Sequence, residues 1–497
     1  MQMLKQVKLH SAYNPQKEAE RFCAAIHGNP KIIVITEPGE SYIAPILRFQ
    51  FPAAKIIAIR YTDTYFLQSD ILWDAVWRPV HGNLDFFLIH NIPDEFLCVS
   101  VFLPWKPAEL IWKKTADFVW KTIAASLKII QSVIATRNFF GQRWFKNITD
   151  NFLFAENPVN FEFKNTDSVF AASGGSLEIL LKRHKTFLNK RFILAASSAM
   201  PALIEYGISP TLCLSTDGGF WAAGHLRRIP EHIPVCFPPE AKIPYAVLKK
   251  NPCVFLSYNS LPETLFFSDF KIIPKKAVRN GTVSGTGVDL LLDYTKGNIY
   301  AAGLDLEGAK GFPHAQPHES LKSKETLFSK LNPVSQFAAV SNFDARSLEV
   351  YAKWFSQIPM QRACRIFRLG NKGRDIENIK RISFELFNET AEQNSPLPLI
   401  HCLPKKSKLD KKIILYEFYK NIQKKLDSGL FLTEIKNGIK YLNQKKIENE
   451  LATLISFQSY IKYIKDEKTK NAAETEKKLK DELQAFINLQ IKRLKND

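Results

Sequence analysis

The chain lacks the features that mark several common classes of protein. It is short of glycine, with 21 glycines against 27 prolines in 497 residues, and it contains no long low-complexity tract. Its seven cysteines are odd in number, include no Cys-x-x-Cys pair, and several lie in apolar runs. This pattern indicates reduced core residues and argues against a disulfide framework or a zinc site.

Apolar runs long enough to span a membrane are also missing. A spanning helix needs about 20 predominantly apolar residues. The best candidate, residues 118–135, is interrupted by Lys121 and Lys128, and residues 1–8 contain no apolar signal core. We therefore expect a soluble, cytoplasmic protein that does not insert into a membrane.

Positive charge is abundant instead. The formal net charge is +19, and residues 404–497 alone hold 22 Lys and Arg against 13 Asp and Glu. Such a balance suits an acidic partner, but no helix-turn-helix, zinc or aromatic RNA-binding motif accompanies it, so nucleic acid is not expected. The apolar stripe within residues 478–494 predicts a C-terminal helical bundle over 396–497, whose basic surface suggests a role in recruiting an acceptor.

The N-terminal part has the pattern of a βαβ unit. Two apolar runs, at residues 31–36 and 55–60, are separated by a helical segment, which is typical of parallel strands. The turn after the first run lacks Gly-x-Gly-x-x-Gly and contains Glu37 and Glu40, which would repel phosphate. We predict a Rossmann-like domain over 1–105 that is structural or binds the acceptor, followed by connecting helices over 106–156.

A first block of candidate site residues follows an apolar strand at 169–172. Ser173, Gly174, Gly175 and Ser176 turn the chain into a helix, for which Ser176 is a suitable N-cap. Helix N-termini carry unpaired amides and partial positive charge, so this turn predicts a phosphate site, although many such turns only reverse the chain. Two further strands follow, and the second ends on Asp217, at the edge where parallel sheets bind ligands.

A second block repeats this pattern. A turn of small residues precedes a helix, and a buried strand then ends on Asp305, before a loop that contains His314. We expect Asp217 and Asp305 to end adjacent strands. The polar residues of this second turn are Asn280, Thr282, Ser284 and Thr286.

The two blocks resemble the motility accessory factor (Maf) family. Residues 173–177 resemble its Gly-x-Gly-Pro-Ser-Leu turn, and residues 281–315 resemble its Gly-x-Ser-Val-x-x-x-Ala…Gly-Gln-Asp-Leu-Ala…Thr-His-Ala signature. The chain departs from the family at Gly175, Leu304 and Pro313, where Pro, Gln and Thr are usual. The resemblance implies an α/β protein with a Rossmann-like N-terminal domain, a Rossmann-like, sialyltransferase-type central domain over 157–395 and an all-helical C-terminal region.

The resemblance also implies a chemistry. Maf proteins are glycosyltransferases that attach nonulosonic acids of the pseudaminic or legionaminic type to Ser or Thr of flagellin. The implied partners are therefore a CMP-activated nonulosonic acid donor and flagellin. We predict that the donor is bound by the backbone amides of Gly174, Gly175 and Ser176 and by the hydroxyls of Thr282, Ser284 and Thr286, with Ser173 and Asn280 in the same site.

The candidate base is His314, because an imidazole titrates near neutrality and can accept a proton at cellular pH. His318 is the alternative. Asp217 and Asp305 are predicted to bind sugar hydroxyls, to orient His314 or to hold a divalent metal, and the metal requirement is left open, as is the oligomeric state.

Two asparagines precede the central domain, in a segment that resembles the Arg-x-Trp-x-x-Asn…Asn helix of Maf proteins. Asn147 and Asn151 are four residues apart and share a helix face. They could contact a sugar or cap a neighbouring strand, and the sequence favours neither role.

Two other functions fit the sequence. The central domain of the Maf family is also similar to archaeal 6-hydroxymethylpterin diphosphokinases, in which case Asp217 and Asp305 would hold Mg²⁺ between ATP phosphates. A non-catalytic scaffold that binds flagellin is the third possibility, motivated by the departures from the motif.

Overall fold

The computed structural model describes residues 8–308, 310–340, 346–440, 446–466 and 470–496. Contacts between its residues divide the chain into two compact units. The first unit consists of Met1–Gln142 and Tyr419–Asp497, and the second consists of Arg143–Phe418. The four segments predicted from the sequence, with boundaries at 105, 156 and 395, stay a prediction.

The strands are short and mostly buried. They are β1 Ile32–Thr36, β2 Lys55–Ile59, β3 Ala75–Trp77, β4 Ser100–Pro104, β5 Val159–Glu162, β6 Ser168–Ala171, β7 Phe192–Ala196, β8 Leu212–Leu214, β9 Val235–Phe237, β10 Cys253–Ser257, β11 Lys275–Lys276, β12 Ile299–Ala302, β13 Ile366–Leu369, β14 Lys380–Ile382 and β15 Leu399–Cys402.

Helices separate these strands and make up most of the last hundred residues. They are α1 Pro15–Ala24, α2 Ile43–Gln50, α3 Leu84–Asn91, α4 Lys106–Ile111, α5 Lys113–Phe154, α6 Gly175–His184, α7 Met200–Glu205, α8 Tyr245–Lys250, α9 Leu261–Phe270, α10 Val283–Tyr294, α11 Glu319–Lys322, α12 Arg346–Ser356, α13 Met360–Ala363, α14 Phe384–Thr390, α15 Lys408–Asp427, α16 Leu430–Lys440, α17 Ile447–Ile455, α18 Phe457–Asp466 and α19 Ala472–Asn496.

The first unit contains a four-stranded sheet in the order β3-β2-β1-β4. Every pair in it is parallel, and all five residues of β1 are buried. Strands that are apolar along their whole length are expected where helices cover both faces of a sheet. The α/β, Rossmann-like class predicted for the N-terminal region is thus confirmed.

The second unit is built on a nine-stranded sheet in the order β11-β10-β9-β8-β7-β6-β12-β13-β14. All eight pairings are parallel. Its core contains Phe170, Leu194, Leu214, Leu291 and Ala301, all at most 1% exposed. The α/β class predicted for the central domain is confirmed. Strand β9, inside a proline-rich segment, was not predicted.

The C-terminal region is helical, as predicted, with one exception. Strand β15 pairs antiparallel with β5 at the start of the segment that the sequence pattern made entirely helical. The predicted stripe on the last helix is confirmed, because Leu479, Leu483, Phe486, Ile487 and Ile491 are buried. Burial of one apolar face is what stabilises such a helix in a bundle.

Helix α5 is 42 residues long and continuous. Among the described residues it is the one helix whose length and composition would suffice to cross a membrane, and 25% of its most apolar 18-residue window is buried. Gly141 lies within it, where an added Cβ would lie 2.3 Å from the carbonyl oxygen of Leu454. The glycine therefore allows α5 to lie against the end of α17.

Candidate active site

The central sheet has a topological switch point between β6 and β12. From β6 the chain adds β7 to β11 on one side, and it then returns to place β12 on the other side. Ligands of open parallel sheets bind in the crevice that this reversal leaves at the carboxyl ends of the strands. The first motif turn follows β6, and the loop that contains Asp305 and His314 follows β12, so both flank this crevice, whereas the second motif turn, at 280–286, follows the edge strand β11.

The backbones of the first turn and of the loop after β12 lie close together. The amide of Gly174 donates to the carbonyl of Gly303 at 2.9 Å. A Cβ on Gly174 would lie 2.4 Å from that oxygen and 2.6 Å from Oδ2 of Asp305. Gly303 has φ +71°, and its own Cβ would lie 2.2 Å from the carbonyl of Ala172. Both positions therefore require glycine.

Asp305 occupies the N-terminus of α6, where Gly174, and not Ser176 as predicted, is the N-cap. Its Oδ2 accepts the amide of Ser176 at 2.9 Å, and its Oδ1 accepts the Ser176 hydroxyl at 2.5 Å. The residue is 8% exposed. Because anions are favoured at helix N-termini, Asp305 stabilises the turn where we predicted a phosphate. The amides of Gly174 and Ser176, where we predicted donors to a phosphate, already have partners within the protein.

His314 lies beside the same turn. Its backbone forms an antiparallel bridge with Gly174, and the next amide, of Ala315, donates to the carbonyl of Ser173 at 2.8 Å. Its Nδ1 is 3.3 Å from Oγ of Ser173, which in turn accepts a hydrogen bond from the hydroxyl of Ser198 at 3.0 Å. The main chain thus fixes the position of the residue, and Ser173 orients its ring.

His314 is one of three histidines in a row. Its ring stacks on that of His318, with centroids 4.1 Å apart and planes 20° apart, and the His318 ring is 4.9 Å from that of His225. Burial lowers the pKa of all three, and to about 3 for His318, where the other two histidines add to the effect. His314 is half-buried and neutral at cellular pH, so it can accept a proton.

The second turn, at 280–286, is a helix N-cap. Oγ1 of Thr282 accepts the amide of Gly285 at 2.8 Å, and the hydroxyl of Thr286, 1% exposed, donates to the carbonyl of Val278 at 3.2 Å. Ser284 is half-buried. The buried Nδ2 of Asn280 has no hydrogen-bond partner among the described residues. Of the predicted donor-binding groups in this turn, Asn280 is therefore the one with a buried donor that a ligand or a water would satisfy.

Comparison with known proteins places this geometry in context. The family described as "6-hydroxymethylpterin diphosphokinase MptE-like" matches residues 142–311, the part that contains both turns. An uncharacterized protein of Treponema pallidum (strain Nichols) is 38% identical over 349 residues, which are 70% of this chain and 77% of that protein. This chain and the Treponema pallidum protein belong to one family.

The solved structure of a Maf glycosyltransferase from Magnetospirillum magneticum AMB-1 has a TM-score of 0.51 to this chain, at 13% identity, covering 94% of this chain and 80% of that one. The chain has the Maf fold. The resemblance found in the two sequence blocks is thereby confirmed at the level of the fold.

The fold accommodates the residues found at all three departures from the Maf motif. A Cβ added to Gly175 would lie no closer than 3.8 Å to another heavy atom, so its lack of a side chain is not forced by packing. Leu304 is buried at 3% exposure, whereas Pro313 is exposed. The second departure therefore places an apolar side chain where the Maf motif has an amide.

Asp217 and Asp305 do not end adjacent strands, contrary to our expectation. Strands β7 and β6 lie between β8, which precedes Asp217, and β12, which precedes Asp305. Neighbouring strands are about 4.8 Å apart, so the two strand ends are separated by about 14 Å. Asp217 is exposed, and its Oδ1 accepts the amide of Gly219 at 2.7 Å. The loop after it, however, brings His225 to the histidine row.

Asn147 and Asn151 hold loops of the Maf fold. The amide of Asn147 donates to the carbonyls of Gly218 and Glu240, and that of Asn151 donates to those of Pro239 and Ala241, all at 2.7–3.1 Å. Both side chains are at most 2% exposed. This is the capping role of the two that the sequence left open, and it supports the loops that follow β8 and β9.

A second polar cluster, around Arg279, was missed. Its guanidinium contacts Oε2 of Glu240 at 2.5 Å and lies 5.0 Å from the ring centre of Tyr258 and 5.6 Å from that of Trp144. Burial raises the pKa of the nearby Glu263 to about 7. The sequence signal was the capping box of Ser260 and Glu263 at the start of α9, which marks a buried carboxylate next to a strand end.

The described residues contain no group of three His, Cys, Asp or Glu side chains placed to hold a metal ion. The rings of His314 and His318 stack, and the ring of His225 is tilted by 49° against that of His318. The metal requirement stays open as a prediction, and no step below depends on it.

Proposed function

We propose that the chain is a glycosyltransferase that moves a nonulosonic acid of the pseudaminic or legionaminic type from its CMP-activated form to Ser or Thr of flagellin. One observation carries the proposal, namely a neutral, half-buried His314 fixed at the switch-point crevice of a Maf fold. Solubility in the cytoplasm, where both partners would meet the enzyme, belongs to the same proposal.

The transfer step follows from the position of His314. With Nδ1–H donating to Oγ of Ser173, Nε2 keeps a lone pair and takes the proton of the acceptor hydroxyl. The acceptor oxygen forms a bond to the anomeric carbon while the bond from that carbon to the phosphate oxygen breaks, and CMP leaves with the electron pair. Asn280, whose buried Nδ2 has no hydrogen-bond partner among the described residues, is the candidate group for binding the nucleotide.

His318 supports this base without touching substrate. It is 5% exposed, it stacks on His314, and its Nδ1 accepts the amide of Ser320 at 3.2 Å, which fixes the orientation of the ring. A second charged imidazole 4.1 Å away would oppose protonation of His314, so the neutral state of His318 matters for the reaction. We assign it as a positioning residue instead of an alternative base.

The decisive experiment compares His314→Ala with the wild-type protein. The variant should fold and bind CMP with unchanged affinity, because the loop is fixed by its backbone, but it should lose transfer by about 100-fold or more. Transfer is measured as added nonulosonate mass on flagellin that is co-expressed with the enzyme. Retained transfer would reject His314 as the base, and wild-type protein that adds no mass would favour the scaffold.

A second candidate function, a 6-hydroxymethylpterin diphosphokinase, is favoured by the family match over 142–311. It would need Asp217 and Asp305 on one Mg²⁺, whose oxygen ligands lie about 2.1 Å from the ion. Strand ends about 14 Å apart and a carboxylate already bound to Ser176 disfavour that arrangement. A thermal-shift comparison of CMP with ATP and Mg²⁺ distinguishes the two, since stabilisation by ATP and Mg²⁺ alone would favour the kinase.

A further inference from the structure

A lysine-lined cavity lies near the amino end of β10 in the central sheet, whereas the candidate active site lies at the carboxyl ends of the strands. Its volume is about 270 Å³, and its lining consists of Leu153, Phe154, Glu156, Lys249, Lys405, Lys406, Lys408 and Lys411. Lys249 precedes β10, and Glu156 precedes Pro158, which forms a parallel bridge with Cys253 at the start of β10, so the cavity lies at the amino end of that strand. It shares no residue with the switch-point crevice.

Five lysines and a single carboxylate surround this cavity. Lys411 is 6% exposed, and its ammonium donates to the carbonyl of Ala155 at 2.5 Å. Lys405 donates to Oδ1 of Asn157 at 2.7 Å. These two partners are neutral oxygens, and the one acid in the lining, Glu156, is exposed. A single carboxylate cannot offset five ammonium groups, so the lining keeps a net positive charge.

The local structure makes this concentration of charge unfavourable without an anion. Lys408 and Lys411 lie in the first turn of α15, where the helix dipole is positive and lysine is disfavoured. Burial lowers the pKa of Lys411, and the neighbouring Lys405 acts in the same direction, while Glu156 opposes the shift. Like charges at this spacing repel one another, and an anion in the cavity would offset both effects.

The geometry points to a site for a compact polyphosphate, and we propose that this lysine cavity binds an anion with two or more phosphate groups. Lysine binds phosphate as a point charge with three donors, which suits such a ligand. Its volume of about 270 Å³ is just below the roughly 300–1,000 Å³ of typical ligand pockets, which suits a small anion better than a whole nucleotide sugar. Its lysines surround a hollow and do not form a stripe, which distinguishes it from a surface for nucleic acid.

The proposal is tested with sodium pyrophosphate as the probe, by isothermal titration calorimetry of the full-length protein at constant ionic strength. The cavity variant Lys405→Ala/Lys406→Ala/Lys408→Ala removes three lysines that are exposed or half-buried, so its fold should persist. Loss of a charged hydrogen bond weakens binding about tenfold. We expect the triple variant to bind at least about 100-fold more weakly than the wild-type protein.

A matched control removes the same charge elsewhere in the same unit. Lys182→Ala/Lys250→Ala/Lys412→Ala lies outside the cavity lining, and it should bind pyrophosphate within about threefold of the wild-type protein. His314→Ala should also bind it normally, since that residue belongs to the candidate active site at the carboxyl ends of the strands. Equal losses in both triple variants would show non-specific attraction to a basic protein and overturn the proposal.

Two further outcomes would also overturn it. If the cavity variant binds pyrophosphate as tightly as the wild-type protein, pyrophosphate binds elsewhere. If, in addition, His314→Ala loses pyrophosphate binding, the binding site is the active site. Binding of a poly-glutamate peptide that the cavity variant abolishes, with no binding of pyrophosphate, would make the cavity a docking site for an acidic protein segment.

Discussion

The two parallel sheets of this chain each have a switch point, and they use it differently. In the first unit the reversal lies between β1 and β4, and in the second it lies between β6 and β12. The first is filled by the protein itself: Glu109, which follows β4, accepts the hydroxyl of Thr36 at the end of β1 at 2.9 Å. The neighbouring Arg60 and Glu37 are both 0% exposed and form an ion pair at 3.1 Å. The second has a half-buried histidine at its edge. Strand order creates a crevice in both sheets, and the side chains that occupy the crevice decide whether a ligand can bind there.

The filled switch point is held by a dense set of bonds to one guanidinium. Arg60 donates to the carbonyl of Gly39 at 2.7 Å, to the hydroxyl of Ser69 at 2.7 Å and to Asp70 at 2.9 Å, besides Glu37. Burial raises the pKa of Glu37, and Arg60 opposes that shift. A buried charge of this kind is stable only while its partner remains.

The largest expected effect is a loss of stability when the buried ion pair at the filled switch point is broken. Arg60→Met should lower the free energy of unfolding by about 3–5 kcal/mol, because it leaves Glu37 buried without its partner. Urea denaturation measures the loss. The double variant Arg60→Met/Glu37→Gln should recover part of it, and a single variant as stable as the wild-type protein would contradict the proposed role of the pair.

At the second switch point a smaller loss is expected. Asp305→Asn keeps the shape of the side chain but removes the charge at the N-terminus of α6, and one of its two bonds to Ser176 is weakened. We expect the free energy of unfolding to fall by about 1–3 kcal/mol. The matched control is Asp217→Asn, whose carboxylate is exposed and accepts one amide, and which should change stability by less. Equal losses would mean that Asp305 has no special role in the turn.

The histidine row should make stability depend on pH. The pKa of His318 falls from 6.5 to about 3 on folding, so between these values the unfolded chain binds more protons, and stability is lost as pH falls through this window. Replacing His318 by Phe keeps a ring on His314 but removes the titration. The slope of unfolding free energy against pH should then be smaller by up to about 1.4 kcal/mol per pH unit between pH 6 and pH 4.

This pH effect is measured by urea denaturation at several pH values. His232→Phe is the control, because His232 is exposed and outside the row, and it should leave the slope as it is in the wild-type protein. If His318→Phe and the wild-type protein lose stability in parallel on acidification, His318 is not the group that titrates.

The smallest effect is expected at the first departure from the Maf motif. Gly175→Pro places proline at the first position of α6, and Gly174 before it already has φ −65° and ψ 162°, which proline accepts in its predecessor. Stability should change by less than about 1 kcal/mol. A marked loss of CMP affinity would identify the amide of Gly175 as a donor to the nucleotide. Gly174→Ala is the contrasting variant, and its Cβ would clash with Gly303, so it should be strongly destabilised.

Local patterns predicted a large part of this fold. Buried strands such as β1, β6, β7 and β12 were found because they are short apolar runs bounded by turn residues, and the helix at Thr282 was found from its small-residue turn. These features depend on neighbours in the sequence, whose chemistry is visible in a single chain. The placement of the glycine turns at one sheet edge followed from the parallel βα order.

The arrangement of the site could not be predicted in the same way. Asp305 binds Ser176 across 129 residues, and the row of His225, His318 and His314 joins two loops that follow different strands. Both depend on strand order, which local patterns do not fix, and the wrong expectation that Asp217 lies next to Asp305 has the same origin. Asn147 illustrates a related limit, because an amide on a helix face does not reveal that its partners are backbone carbonyls.

The backbone bridge between Gly174 and His314 also bears on how this site can evolve. Because main-chain atoms tie the loop to the end of β6, the side chain at position 314 can be exchanged without releasing the loop. Descendants of one ancestral chain could therefore gain or lose an imidazole there in a single substitution while the surrounding scaffold persists. A lineage that has lost the histidine would keep the conformation of the loop, and a single substitution could later restore the imidazole and its chemistry.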